Sequence, residues 1–168
     1  MNVGGFVNIV GQLRGGWTAL QENVSLATTA SLNFGSNNIR SLKFLIRGVS
    51  ATTAASLRLQ CFRPSGAVFT YDGGTMGASS TTTWPSTAIH LMSLSAGADV
   101  ATFTIYIDYG GYNGSNQVYN VMGMGYNGSN NVSICGQVYA STLMDNTLFL
   151  TSAGSIDAGV VSTYATYY

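Results

Sequence analysis

The chain has 168 residues, of which only 7% are charged, 46% hydrophobic and 11% aromatic; six Lys and Arg balance six Asp and Glu. An ordinary soluble domain carries about 25% charge, and a nucleic-acid binder needs clustered Lys and Arg to displace counterions from phosphates, so this balance argues against one. So apolar and aromatic a chain is also not a disordered one, and its length suits a single domain with its own core.

In chain order, residues 1–22 stand apart. Gly4-Gly5 and Gly15-Gly16 flank Phe6-Val7-Asn8-Ile9-Val10, followed by Arg14 and Trp17. This stretch reads either as an edge strand of the same domain or as an extended N-terminal arm that reaches a neighbouring subunit, since termini not tied down locally are often used for docking. Thr18–Glu22 is the best helix candidate, and it is too short to stand alone. From residue 23 to 168 alternation dominates. A strand is expected near 28–34, and then Leu42, Phe44 and Ile46 alternate with Lys43, Leu45 and Arg47. Leu57, Leu59 and Cys61 alternate with Arg58, Gln60 and Phe62. Strands near 67–71 and 88–95 come next. Phe103, Ile105, Ile107 and Tyr109 then share one face, opposite Thr102, Thr104, Tyr106 and Asp108, as a half-buried strand requires. Further strands are expected at 117–124, at 132–139, where Val132, Ile134 and Val138 alternate with Ser133, Cys135 and Gln137, and at 147–151 and 159–167.

Gly, Asn, Ser and Asp separate these runs. Some 8–10 short strands at this spacing, with no amphipathic helix between them, predict an all-β, antiparallel sandwich or closed barrel. Gly111-Tyr112-Asn113-Gly114-Ser115-Asn116 recurs as Gly125-Tyr126-Asn127-Gly128-Ser129-Asn130. Asn-Gly favours type I′ hairpin turns, so the repeat reads as two turns flanking strand 117–124 in a meander. The alternative is that Tyr112, Asn113, Tyr126 and Asn127 form a binding rim at one end of the sandwich.

Chemistry is hard to find. His90 is the sole histidine and lies in a strand-like run, where a structural role is the expectation. The six acids are isolated, and no nucleophile elbow appears. Gly123-Met124-Gly125-Tyr126-Asn127-Gly128 matches the dinucleotide pattern by letter, but that fingerprint must open a helix, and here a strand follows. No catalytic residue, cofactor or metal ligand is predicted, and the chain is not expected to be an enzyme. Four Asn-x-Ser matches, at Asn23, Asn113, Asn127 and Asn131, are explained by turn composition. The start Met1–Phe6 lacks a basic n-region, and no apolar run approaches the roughly 18 residues of a membrane helix, so neither export nor a membrane is expected. Cys61 and Cys135, without CxxC spacing and each inside a strand-like run, predict two buried free thiols rather than a bridge.

The runs Ala101–Tyr109, Gln117–Tyr126 and Val132–Tyr139, closed by Thr147–Gly159, resemble small jelly-roll proteins of tailed-bacteriophage particles. The early strand Ser41–Val49 and a long loop over Ser65–Trp84 also fit. The resemblance implies a β-sandwich of jelly-roll type and a virion structural protein assembled in the bacterial cytoplasm. Its implied role is a trimeric capsid decoration (cement) protein that bridges neighbouring capsid subunits. Its implied partners are its own copies, forming a homotrimer, and the major capsid protein or other virion proteins. Such arms often carry the bridging, which singles out Phe6, Ile9, Arg14 and Trp17 as assembly contacts; Trp and Arg are enriched at interface hot spots. The runner-up is a tail or fibre module binding a host-surface glycan, with Tyr112, Tyr126, Trp84 or the loop Tyr71–Trp84 stacking on sugar rings. A third reading is a bacterial adhesin subunit, weakened by the missing export signal.

Overall fold

Where Thr, Val, Ile, Tyr and Phe alternate with polar residues, a pleated backbone puts one set against a core and the other into solvent. The computed structural model describes residues 16–28, 31–34, 39–62, 70–77, 81–85, 87–94, 101–141, 144 and 146–168. Within them run twelve strands: β1 (Thr18–Ser25), β2 (Ser31–Asn33), β3 (Ile39–Ala51), β4 (Ala55–Phe62), β5 (Thr70–Met76) and β6 (Thr81–Thr83), then β7 (Ile89–Leu94), β8 (Ala101–Tyr112), β9 (Gln117–Tyr126), β10 (Asn131–Ala140), β11 (Asn146–Thr151) and β12 (Ile156–Tyr167).

All the pairings are antiparallel and make two sheets. One has eight strands in the order β1-β12-β3-β8-β9-β10-β5-β6, and the other has four, β2-β11-β4-β7. A single core lies between them, as in a β-sandwich. Leu42, Phe44 and Ile46 of β3 and Phe103, Ile105 and Ile107 of β8 meet Leu57 and Leu59 of β4 and Phe149 of β11. Phe44 and Phe149 cross from sheet to sheet edge-to-face, 6.0 Å apart at 81°. Fully burying a side chain of this size stabilises by roughly 1.5–3 kcal/mol.

Polar ties also join the sheets. β7 pairs with β4 only as far as Leu59–Ile89, while β11 pairs with β4 along its other side up to Phe62. Among the described residues the backbone of Cys61 therefore has no strand neighbour on the β7 side. The hydroxyl of Tyr71, on β5 of the opposite sheet, fills that place: it accepts from Cys61 N and donates to Cys61 O. Similarly, Trp84 Nε1 donates to Thr75 Oγ1 at 3.0 Å, and Thr75 Oγ1 donates to His90 O on β7. The Trp84 indole lies over the paired Gly73 and Gly136. A Cβ at Gly136 would sit 2.5 Å from both the ring and Asp72 O, so only glycine allows the ring this approach.

Several expectations change. β1 runs through Thr18–Glu22, the helix candidate, and continues to Ser25 as the edge strand of the larger sheet. Its alternation is broken by register shifts, with Asn23 at φ 53, so it lacks a readable period. The loop expected over Ser65–Trp84 contains β5 and β6; β6 is a short edge strand of three exposed threonines. Cys61 is buried as expected, but Cys135 is exposed, and both are free. Strand parity explains it: Ile134 points into the core, so its neighbour points out.

The two repeated turns do flank β9 in a meander, as four-residue loops and not type I′ turns. Among their residues only Gly114 and Gly128 have positive φ, near 90°. Asn113 Oδ1 accepts from Ser115 N and Asn116 N, and Asn127 Oδ1 accepts from Ser129 N and Asn130 N, at 2.7–3.1 Å. These side chains mimic the backbone of a turn.

Candidate interaction surface

Strand parity also decides what the outer face of the eight-stranded sheet carries. On β9, Tyr119 and Val121 point inward, so Met122, Met124 and Tyr126 point outward with 54%, 72% and 47% of their surface exposed. Register places Met122 between Tyr106 of β8 and Cys135 of β10, and Met124 between Thr104 and Ser133. On the far side of β10, Ser133 pairs with Met76 of β5, itself 59% exposed. The result is an uncharged band across β8, β9, β10 and β5.

Towards β1 the same face becomes aromatic and charged. Trp17, 43% exposed, tilts over Tyr106 with ring centroids 6.1 Å apart. The Lys43 ammonium sits between the rings of Tyr106 and Tyr164, 5.7 and 6.0 Å from their centres. A cation held over aromatic faces is worth about 0.5–1 kcal/mol at an exposed site. Tyr164 Oη donates to Glu22 Oε1 at 3.2 Å and so ties β12 to the edge strand β1.

Of the predicted assembly contacts, Phe6, Ile9 and Arg14 lie outside the described residues, and Trp17 borders this outer face. The predicted rim residues are not brought together. Tyr112 and Asn113 stand at the β8–β9 turn, whereas Tyr126 and Asn127 stand at the β9–β10 turn, at the opposite end of β9. Consecutive turns of a meander always lie at opposite ends, about 30 Å apart for a ten-residue strand. Tyr112 is 61% exposed and borders an open depression with Asn113, Asn120, Gln137 and Tyr139. Within it Tyr139 Oη donates to Gln137 Oε1, and Gln137 Nε2 donates to Asn120 Oδ1 at 2.9 Å. Tyr126 turns its hydroxyl to Gly128 O at 2.6 Å. Trp84 and Tyr71 are both 5% exposed and belong to the core, so neither can stack on a sugar.

The titratable groups inside the fold are shifted chiefly by burial. Burial pushes the Cys61 thiol up to about 12, partly offset by its hydrogen bond with Tyr71. Burial likewise raises Tyr71, and lifts Tyr119 to about 12 where its hydroxyl accepts from Met144 N. His90 is held below its ordinary value, first by burial and then by the positive charge of Arg58; its Nδ1 finds no partner among the described residues. Among those residues no three of His, Cys, Asp and Glu gather into a metal-holding group.

Sequence reasoning overlooked the outward sulfur residues. The signal was the parity of β9, in which Met122 and Met124 oppose the inward Tyr119 and Val121. Compared with protein-family models, curated proteins and solved structures, the chain finds no match.

Proposed function

We propose that this protein is a structural component of a tailed-bacteriophage particle, a jelly-roll decoration (cement) protein that bridges and stabilises neighbouring capsid subunits. The observation that carries the reading is strand order. Setting aside β5–β6 and β9–β10, which together extend one side of the larger sheet, leaves β1-β12-β3-β8 facing β2-β11-β4-β7. Each four-stranded set then interleaves strands from the two ends of the chain, the pattern of paired Greek keys in a jelly roll. Fold alone does not assign a role, so the surface must add to it. A chain with 7% charge lacks the Lys- and Glu-rich coat of a free-standing soluble domain and suits life packed among other subunits. Trp17, Tyr106 and Tyr164 beside the β1 edge are the side-chain types that anchor interfaces.

The test is stoichiometry on purified particles by quantitative mass spectrometry. Decoration predicts a copy number comparable with the major capsid protein, and particles lacking the protein should leak on heating or at low salt. A few copies per particle would refute decoration in favour of the tail, and absence from particles would refute both. Light scattering on the free protein should give a trimer, three times 17.6 kDa, across a hundredfold dilution.

The second reading, a tail or fibre module that binds host-surface glycan, draws on the depression beside Tyr112. An exposed tyrosine next to Asn113, Asn120 and Gln137 offers a stacking face and amide hydrogen bonds. Saccharide affinity lost on Tyr112→Ala, but kept on Tyr126→Ala, would favour it.

A further inference from the structure

The chain has six methionines and two cysteines, and half of the methionines and one cysteine stand on a single exposed patch. Cys135 is free and exposed at its centre. Met122 is directly opposite it on β9; Met124, opposite Ser133, is its diagonal neighbour on the same strand; Met76, also opposite Ser133, is the diagonal neighbour on β5. Directly opposed residues have Cβ atoms roughly 4.5–5.5 Å apart and diagonal ones roughly 7–8 Å, distances a methionine side chain spans easily. Gly74, paired with Cys135 on its other side, adds no side chain to crowd the thiol.

Apolarity alone does not account for this composition. Methionine is ordinarily a buried residue, and Met92 and Met144 are buried here. The outward positions of β9, β10 and β5 hold no Leu, Ile, Val or Phe around the patch except Val118 near the far turn. Their large side chains around the patch are Met122, Met124, Met76 and the ring of Tyr126, while the Tyr139 ring stands towards the other end of β10. Thioethers and a thiolate are soft donors of the kind that take monovalent copper, whereas calcium and magnesium call for carboxylate and carbonyl oxygens. Two methionines at i and i+2 of one strand, with a thiol across the neighbouring strand, offer three such donors on one face, and Met76 offers a fourth.

We infer that Cys135, Met122, Met124 and Met76 form a binding site for one soft monovalent metal ion, Cu(I) or its analogue Ag(I). On binding, the Cys135 thiol gives its proton to solvent and its sulfur bonds the ion, while the methionine sulfurs donate without proton exchange. No electron transfer is involved. The site needs neither the virion reading nor a partner chain, and it adjoins the Trp17–Lys43–Tyr164 cluster only through Tyr106, which pairs with Met122.

The test is anaerobic competition of the full-length protein against a chromophoric Cu(I) chelator. The wild type should remove one equivalent of Cu(I) per chain. The double variant Met122→Leu/Met124→Leu should lose affinity by at least the roughly 10–100-fold that follows loss of a ligand's outer support, and Cys135→Ser should lose more. Methyl NMR on the unmutated protein gives a second readout independent of variant folding. One equivalent of Ag(I) should shift the methyl signals of Met76, Met122 and Met124 and leave Met92 and Met144 in place. No uptake from the chelator would overturn the inference. So would binding unchanged in the double methionine variant, which marks a solitary thiol, or binding unchanged in Cys135→Ser, which puts the ion elsewhere.

Discussion

Removing one oxygen atom from Tyr71 should be among the most damaging conservative changes this fold can receive. Its hydroxyl pairs with both the N–H and the C=O of Cys61, at the point where β4 runs past the end of β7. Tyr71→Phe keeps the ring, so it opens no cavity to speak of, but it leaves two buried backbone groups without partners. Each such group costs about 1–3 kcal/mol, giving about 2–4 kcal/mol once partial relaxation is allowed. For a domain of this length about 1 kcal/mol moves Tm by about 2–4 °C, so Tm should fall by about 5–15 °C. Thermal and urea unfolding followed by circular dichroism would measure it, with the β-sheet spectrum unchanged at low temperature. A loss under about 0.5 kcal/mol, the range of a neutral surface substitution, would refute the argument that Tyr71 substitutes for a missing strand.

Ellman's reagent should titrate one thiol per native chain, Cys135, and a second only after denaturation, because Cys61 is buried and its pKa is pushed up to about 12; fast reaction of two thiols in the native state would contradict this. Gly136→Ala should destabilise by about 1–3 kcal/mol, since its Cβ would meet the Trp84 ring at 2.5 Å, and the shift of the indole should appear in tryptophan fluorescence. Compared with deletion of residues 1–15, deletion of 1–22 also removes Leu20 and most of β1 and should cost about 2 kcal/mol or more on top of it; equal midpoints for the two deletions would mean β1 adds nothing. His90 is held below 6.5 by burial and by Arg58, so the unfolded chain takes up a proton that the folded chain resists. Its contribution to stability is complete above that value and is lost as pH falls below it. Urea midpoints at about pH 7.5 and about pH 5.5 should therefore differ less in His90→Gln than in the wild type.

How much of this was legible beforehand follows from how far each signal reaches along the chain. Alternation is local, and it was sufficient for β3, β4, β8 and β10, whose inward residues Phe44, Leu59, Ile105 and Ile134 lie in the core where their parity put them. The Asn-Gly repeat likewise marked both turns of the meander. Local pattern failed where a strand owes its existence to a neighbour. β1 is held by pairing with β12 through two irregularities that erase its period, and β6 is three exposed threonines with no inward face to betray it. It failed too for Trp84, at the end of a Gly-, Ser- and Thr-rich stretch expected to be a loop, and for the role of Tyr71, which stands at the end of the strand expected over 67–71. Gly73 and Gly136, 63 positions apart, must pair before the indole has a surface to cover, and β4 must overrun β7 before the Tyr71 hydroxyl has a place to fill.

The sequence by itself thus determined the class of fold, the strands with a clean period and the poverty of charge, because each depends on residues close together in the chain. Only the tertiary structure decided strand order and the gathering of Met76, Met122, Met124 and Cys135 on one face. Those depend on which strands become neighbours, and hydrogen bonds between distant segments set that choice, which no local period records.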